Sequence, residues 1–137
     1  MAFFISRRQA QFADSDAAGV IHFSRIAVYV EEAEHLFLQQ QGYPIDLVSP
    51  EAFHWPRIKY SASYMRPIQP FESIKIELAP RRVGTSSITW RWLILKAEDD
   101  QEVAQGEMKT ICCKLQDGSM KTHPLPEDLR RNLTSGM

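Results

Sequence analysis

The feature of this 137-residue sequence that most constrains its fold is a single change of hydrophobic period. From Phe23 to Gln41, apolar residues recur every three or four positions, which predicts one amphipathic helix. Its predicted core-facing stripe contains Phe23, Ile26, Ala27, Val30, Ala33 and Phe37. Gly42 and Pro44 follow at the positions where a helix cap and a helix breaker are expected. From Arg57 onward the period is two, which predicts β-strands. The chain therefore contains one long helix followed by a series of strands.

Four predicted strands follow the helix and are joined by segments short enough for hairpins. Their alternating runs begin at Arg57, Ile74, Ile88 and Val103, and the last run continues to Leu115. With a first strand before the helix, they predict an α+β fold in which an antiparallel five-stranded sheet wraps around the helix. A doubly wound parallel sheet is excluded, because it requires strands that alternate with helices.

Three shorter segments complete the predicted organisation. The first strand is expected within Met1 to Phe12, and the segment from Pro80 to Ser86 is expected to be a turn. Pro126 is expected at the first position of a short terminal helix.

Composition and charge exclude several classes of function. Sixteen basic and seventeen acidic residues give a net charge of −1, so no basic face for nucleic acid or for an anionic membrane is expected. The longest apolar runs are about five residues, too short to cross a bilayer. Adjacent residues of a strand point to opposite faces, so Cys112 and Cys113 are a poor disulfide pair. The histidines lack the spacing of metal ligands. We expect one cytoplasmic domain spanning residues 1–137, without a metal.

A short acidic loop before the helix is the segment most informative about chemistry. Asp14 and Asp16 lie two residues apart, Gly19 follows, and the helix begins near Phe23. Acid-nucleophile phosphatases also carry paired aspartates after a strand, but they require a parallel sheet and roughly 200 residues. A calcium loop is excluded, because Arg25 occupies the position that needs a bidentate carboxylate.

Several short motifs spread along nearly the whole chain form a recognisable set. They are Asp14-x-Asp16-x-x-Gly19-Val20-Ile21, the aromatic Phe23, Glu32-Ala33, Tyr64-x-x-Pro67, Ala104-x-Gly106 and Leu125-Pro126. The set resembles the hotdog-fold acyl-CoA thioesterases, in particular the subgroup named for 4-hydroxybenzoyl-CoA thioesterase. The sequence departs from that pattern at Glu34, where many members of the family have arginine.

The resemblance implies hydrolysis of an acyl-CoA, with an aromatic or short-chain acyl group, to a free acid and coenzyme A. Asp16 would be the nucleophile or the general base, and the helix N-terminus near Phe23 would polarise the thioester carbonyl. Gly19 would let the loop backbone approach the thioester. Coenzyme A would be part of the substrate, so no cofactor is expected. The alternative is a non-catalytic acyl-CoA- or lipid-binding module of the same fold, which has no need of a carboxylate at Asp16.

Three further residues are candidates for contact with the acyl group or the thioester. His22 lies next to the aromatic position of the motif and is either close to the thioester or exposed to solvent. His54 and Trp55 precede the second strand and either shape an acyl pocket or pack in the core.

A cationic segment is the candidate for recognition of the coenzyme A phosphates. Arg81 and Arg82 supply positive charge, and Gly84 and Ser86 follow in a predicted turn with small donors. The other interpretation of this segment is a solvated hairpin tip.

The resemblance also implies an assembly of identical subunits. A dimer joined edge to edge through its sheets, and dimers paired into a tetramer, would place the active site between subunits. Trp90 and Trp92 share one face of a predicted strand, where they are expected in the core or in a subunit interface.

Overall fold

The chain folds as one long helix packed on a five-stranded antiparallel sheet, as seen in a computed structural model that describes residues 3–137. In chain order the elements are β1 (Phe4–Gln9), α1 (Phe23–Gln40), β2 (Phe53–His54), β3 (Arg57–Tyr64), β4 (Ser73–Val83), β5 (Ser87–Lys96), β6 (Glu102–Ile111), β7 (Cys113–Gln116), β8 (Ser119–Thr122) and α2 (Glu127–Thr134). The order in the large sheet is β1-β4-β5-β6-β3, with every pairing antiparallel. The predicted fold class is confirmed. Met1 and Ala2, at the start of the predicted first strand, lie outside the described residues.

Helix α1 occupies the predicted segment and ends one residue earlier than expected. Its buried face contains Ile26, Val30 and Phe37, which belong to the predicted stripe. Phe23, expected in the same stripe, is instead 63% exposed, because it stands at the open N-terminal end of the helix. Gly42 has a φ of +94°, the left-handed conformation that ends a helix at low cost when the residue is glycine. Within residues 3–137, no helix has the length and apolar character needed to cross a membrane.

The face of the sheet that packs against α1 is made of alternate residues from its central strands. They include Ile74, Ile76 and Leu78 of β4 and Ile88, Trp90, Trp92 and Ile94 of β5, all essentially inaccessible to solvent. Gly106 of β6 lies at a close approach between neighbouring strands. A Cβ at Gly106 would lie 1.8 Å from the carbonyl oxygen of Ser61 and 2.8 Å from the Trp92 ring. Only glycine allows β3 and Trp92 to pack this closely on β6.

The structure places both tryptophans in the core, the first of the two alternatives that the sequence left open. Trp90 is 0% and Trp92 is 1% exposed within one chain. Trp90 packs edge-on against Phe37 of α1, and Trp92 stacks on Tyr60 of β3. Both are core residues, since α1 and the edge strand cover them.

Three element boundaries also differ from the predictions. Strand β4 continues through Arg81 and Arg82 to Val83, so the turn is shorter than the segment from Pro80 to Ser86. The predicted run from Val103 to Leu115 is interrupted at Cys112, after which β7 forms a second sheet with β2 and β8. Pro126 is the N-cap of α2 and not its first residue, because that helix begins at Glu127.

Candidate active site

The structure places Asp16 at an open cleft of about 410 Å³ between the N-terminus of α1 and the end of β3. We call it the Asp16 cleft. Phe23 and Ile26 line it from the helix side, and Tyr64 and Arg66 line it from the sheet side. The Phe23 and Tyr64 rings meet nearly edge to face, with centroids 6.4 Å apart. The cleft therefore combines one carboxylate, one guanidinium and largely apolar walls, which suits an apolar group joined to a polar, reacting centre.

The loop that carries Asp16 is closed by its own backbone hydrogen bonds. The Asp16 amide donates to the carbonyl oxygen of Val20 at 2.9 Å, and the Gly19 amide donates to the carbonyl oxygen of Asp16 at 3.0 Å. Gly19 has a φ of +81°, and no atom lies within 4 Å of the position its Cβ would take. Within this chain the need for glycine is therefore conformational, and the space above its backbone is open.

The Asp16 side chain uses one of its two oxygens to hold the loop. Oδ1 accepts a hydrogen bond from the Ala18 amide at 2.8 Å, an Asx turn. No donor to Oδ2 is found within residues 3–137. The local turn orients the carboxylate and leaves one oxygen for another partner.

The neighbouring Asp14 is fully engaged in holding α1. Its Oδ1 accepts from Arg25 Nε at 2.9 Å, and its Oδ2 accepts from the Tyr29 hydroxyl at 2.7 Å. Burial, and secondarily the hydrogen bond to Asp14, raise the pKa of Tyr29. The two aspartates thus have different roles, because Asp14 fixes the helix against the loop while Asp16 faces the cleft.

The N-terminus of α1 opens beside the Asp16 cleft. His22 is its N-cap, and its Nδ1 accepts from the Ser24 amide at 3.2 Å, a role that sequence reasoning missed. The Phe23 N–H has no acceptor within residues 3–137. A helix N-terminus carries partial positive charge, so an unpaired N–H there can stabilise negative charge that develops on a bound group.

The other predicted site residues lie away from the Asp16 cleft of the same chain. His54 is in β2, paired with Cys113, and Trp55 is 8% exposed beside Phe53. Arg81 and Arg82 lie on strand β4 and line a different cavity.

The turn after β4 contacts helix α2 and the residue between β6 and β7. The carbonyl oxygen of Gly84 accepts from the Arg130 side chain, and that of Ser86 accepts from the Cys112 amide, both at 2.8 Å. No cluster of three or more His, Cys, Asp or Glu side chains suited to a metal is present in the described part of the chain.

Sequence reasoning also missed two residues with clear structural contacts. Arg66 lines the Asp16 cleft and donates to the carbonyl oxygen of Glu102 at 2.6 Å. Glu34 is fully buried, and its carboxylate accepts hydrogen bonds from Arg57, Trp90 and Thr110. The spacing of Glu34 from Val30 and Phe37 places it on the buried face of α1, which was the available signal.

Comparisons with known proteins identify the family. Residues 10–133 match the model of the thioesterase-like superfamily. The chain belongs to this superfamily. The 1,4-dihydroxy-2-naphthoyl-CoA hydrolase of Synechococcus sp. (strain WH7803) is 26% identical over 140 residues, which cover 95% of this chain and 88% of that protein.

Solved structures show the same fold. The structure of a 1,4-dihydroxy-2-naphthoyl-CoA thioesterase from Synechocystis matches with a TM-score of 0.81 at 23% identity, covering 96% of this chain and 95% of that one. A gentisyl-coenzyme A thioesterase matches with a TM-score of 0.80 at 20% identity, covering 92% and 98%. Together with the family match and the curated relatives, this confirms the resemblance to hotdog thioesterases and the prediction of a thioester hydrolase.

Proposed function

We propose that this protein hydrolyses an acyl-CoA with an aromatic or short-chain acyl group, and that Asp16 is its catalytic carboxylate. The observation that carries the proposal is that one cleft is lined both by Asp16, whose Oδ2 is unpaired among the described residues, and by Phe23, whose N–H has no acceptor there. A thioester carbonyl bound there would have an oxyanion donor on its oxygen and a carboxylate facing its carbon. The relatives named as hydrolases of aromatic acyl-CoA thioesters support an aromatic acyl group.

Two routes are compatible with a carboxylate in this position. As a nucleophile, Asp16 forms a mixed anhydride with the acyl group and expels the coenzyme A thiolate, and water then hydrolyses the anhydride. As a general base, Asp16 takes a proton from a water that attacks the carbonyl carbon directly, and the thiolate leaves from the tetrahedral intermediate. In both routes the negative charge on the carbonyl oxygen is greatest in the transition state, where the Phe23 N–H stabilises it most.

The cleft walls support a role in holding the substrate. Phe23, Tyr64 and Ile26 offer apolar and aromatic surface to the acyl group. Arg66 supplies the positive charge in the cleft, which would suit a polar or anionic part of the substrate near the thioester.

A dimer formed through β3 would complete this site. Strand β3 ends the large sheet and pairs only with β6 among the described strands. Its exposed large side chains include Ile58 at 58% and Tyr64 at 49%. An edge strand with exposed apolar side chains favours pairing with another chain. Antiparallel pairing of two copies of β3 would set the beginning of one strand beside the end of the other, with the partner's His54 and Trp55 near the Asp16 cleft.

The experiment that tests the catalytic proposal is release of thiol from a panel of acyl-CoAs by the purified protein. We expect turnover of at least one aromatic or short-chain acyl-CoA and a loss on the order of 10²-fold or more in Asp16→Asn. The amide oxygen of Asn can still accept from Ala18, so the loop should persist. Asp46→Asn is the matched control, because Asp46 Oδ1 accepts from Val48 and Ser49 in a similar turn outside the cleft. An Asp16→Asn protein that is folded and nearly as active as the wild type would refute the assignment.

Direct binding measurements distinguish the proposed enzyme from a non-catalytic module that only binds an acyl-CoA or a lipid. A binding module would retain acyl-CoA with micromolar or tighter affinity and release no thiol from any member of the panel. That outcome would remove Asp16 from catalysis while keeping the cleft as an acyl-CoA site.

A further inference from the structure

Tyr29 of helix α1 is fully buried, and its hydroxyl contacts the segment that leads to Asp16. The hydroxyl donates to Asp14 Oδ2 at 2.7 Å and accepts from the Gln11 amide at 3.2 Å. Gln11 is the N-cap of the short 3₁₀ turn Phe12–Asp14, and Asp14 is its last residue. The Tyr29 hydroxyl therefore fastens both ends of this turn to the helix.

The loop that carries Asp16 starts and ends at a neck formed by Asp14 and His22. The backbone carbonyl of Asp14 accepts from the His22 amide at 2.9 Å, which joins the start of the loop to the N-cap of α1. Asp16 lies just inside this neck, and Phe23 follows it on the helix. A displacement of Asp14 would therefore move the Asp16 carboxylate relative to the Phe23 N–H.

Two residues of α1 hold the Asp14 carboxylate, and Tyr29 is the one shielded from solvent. Arg25 and Tyr29 are four residues apart, so they share a face of the helix. The Arg25 side chain is 45% exposed, and water and salt therefore screen its ion pair with Asp14. Tyr29 is 0% exposed, so water cannot replace its hydroxyl as a donor to Asp14. The hydroxyl of Tyr29 is thus the stronger of the two restraints.

Contacts around the aromatic ring keep the Tyr29 hydroxyl in one position. The guanidinium of Arg8 lies 4.0 Å from the centroid of the Tyr29 ring and also pairs with Glu32 of α1. A cation over an aromatic face attracts the ring and restrains it. Burial raises the pKa of Tyr29 above its ordinary value of 10.0, so the hydroxyl keeps its proton and remains a donor to Asp14 at neutral pH.

We infer that Tyr29 is a positioning residue for hydrolysis, and that it acts through Asp14 on the loop and the helix terminus that hold the reacting groups. This inference rests on the proposed function, in which those groups are the Asp16 carboxylate and the Phe23 N–H. Tyr29 does not line the Asp16 cleft, so it is not itself a catalytic residue. Misplaced reacting groups raise the barrier of the chemical step more than they weaken the binding of the substrate.

Steady-state kinetics of Tyr29→Phe test the inference, with an acyl-CoA that the wild type hydrolyses. Phenylalanine keeps the ring under Arg8 and removes only the hydroxyl, so Asp14 loses its buried donor. We expect kcat to fall on the order of tenfold or more and KM to change by less than about twofold, because the cleft walls remain. A thioether analogue of the same acyl-CoA, which cannot be hydrolysed, should bind with unchanged affinity. A wild-type kcat, or a raised KM with an unchanged kcat, would overturn the inference.

Tyr43→Phe is the matched control, because it removes the same kind of contact elsewhere. The Tyr43 hydroxyl donates to Asp128 Oδ1 at 2.6 Å, at the opposite end of α1 from the Asp16 cleft. Each variant loses one hydrogen bond between a tyrosine and an aspartate, so some loss of stability is expected in both. Only Tyr29→Phe should lose kcat. Equal losses of kcat in the two variants would mean that the hydroxyl supports the fold in general, and the inference would fail.

Hydrogen exchange tests the restraint on the loop without any substrate. The amides of Asp16 and His22 both donate within the loop, to the carbonyl oxygens of Val20 and Asp14. Peptides that cover residues 14–22 should exchange faster in Tyr29→Phe than in the wild type or in the control variant. Unchanged exchange in this segment would overturn the inference, even with a reduced kcat.

The positioning role of Tyr29 and the proposed function fail in different ways. If the wild type hydrolyses no acyl-CoA, or if Asp16→Asn stays nearly as active as the wild type, the proposed function fails and this inference fails with it. If Asp16→Asn is inactive while Tyr29→Phe is as active as Tyr43→Phe, only the role of Tyr29 is refuted.

Discussion

Removing the buried carboxylate of Glu34 should sharply destabilise the fold, because it connects α1 to three strands. Arg57 on β3 donates to Oε1 at 2.5 Å, Thr110 on β6 donates to Oε2 at 2.8 Å, and Trp90 on β5 donates to the same oxygen. Arg57 also pairs with Glu31, with 2.9 Å between Nη1 and Oε2. Each of the three donors is at least mostly buried, so water cannot replace the carboxylate as their acceptor.

The expected loss of stability depends on which buried groups each substitution leaves without a partner. Glu34→Ala leaves the Trp90 N–H and the Thr110 hydroxyl buried without an acceptor, at about 1–3 kcal/mol each, and removes the buried partner of Arg57. Loss of one partner of a buried ion pair typically costs about 3–5 kcal/mol, and we expect that range here, or roughly 10–20 °C in Tm. Glu34→Gln keeps an oxygen for Trp90 and Thr110 but gives up the charge and the acceptor of Arg57, so about 1–3 kcal/mol is expected.

The pH dependence of the stability of these variants tests whether burial or the attraction of Arg57 dominates the pKa of Glu34. Burial raises the pKa of Glu34 above its ordinary value of 4.5, against the opposing attraction of Arg57 and the hydrogen bonds from Thr110 and Trp90. The folded protein therefore binds this proton at a higher pH than the unfolded chain does. The stabilisation that comes from the raised pKa of Glu34 is fully present below its pKa of 4.5 in the unfolded chain. It is lost as the pH rises through the pKa of Glu34 in the folded protein. The stability of the wild type relative to Glu34→Gln should thus increase as the pH is lowered toward 4.5.

Urea unfolding followed by tryptophan fluorescence, at a series of pH values between about 8 and 4.5, measures this difference. Glu34→Gln serves as the control for Glu34→Ala, since it preserves shape and one acceptor. If the advantage of the wild type instead shrinks as the pH falls, attraction by Arg57 outweighs burial and our account of Glu34 is wrong. If Glu34→Ala costs less than about 1 kcal/mol, water replaces the carboxylate and the contacts are not a buried network.

Three further predictions concern the core, the assembly and the thiols. Gly106→Ala should destabilise the fold by about 1–3 kcal/mol or more, because its Cβ would meet the Ser61 carbonyl at 1.8 Å; a Tm equal to that of the wild type would contradict the close packing. Ile58→Lys should shift the protein toward monomer in light scattering, since Ile58 is 58% exposed on the edge strand; an unchanged mass would place the interface elsewhere. Burial raises the pKa of Cys112 to about 12 and also raises that of Cys113, so the folded protein should react slowly with a thiol reagent at pH 8 and rapidly in denaturant. Equal rates in both conditions would show that the thiols are accessible.

The sequence alone determined the order and type of the main elements, because hydrophobic periods and helix caps are local properties. The stripe that contains Ile26 and Phe37, the stop at Gly42 and the period of two after Arg57 led to one helix and an antiparallel sheet. Local signals also located the Asp16 loop and its glycine, since a tight turn before a helix needs particular residues at fixed spacing.

The tertiary structure decided which distant residues meet. Tyr64 and Arg66 join Asp16 in one cleft because the end of β3 lies beside the N-terminus of α1, an arrangement that no local pattern encodes. The burial of Glu34 among donors from three strands, and the cover of Trp92 by Tyr60, likewise depend on how the sheet wraps around the helix.

The clearest case is the segment that contains Arg81 and Arg82. Its proline, glycine and serine residues predicted a turn, because local propensity favours one there. Pairing with β5 extended β4 through both arginines, and one extra residue in that pairing reversed the face on which Arg82 lies. The residue types in this segment came from the sequence, but their face, their neighbours and the cavity they line were set by strand register, which depends on pairing across the whole sheet.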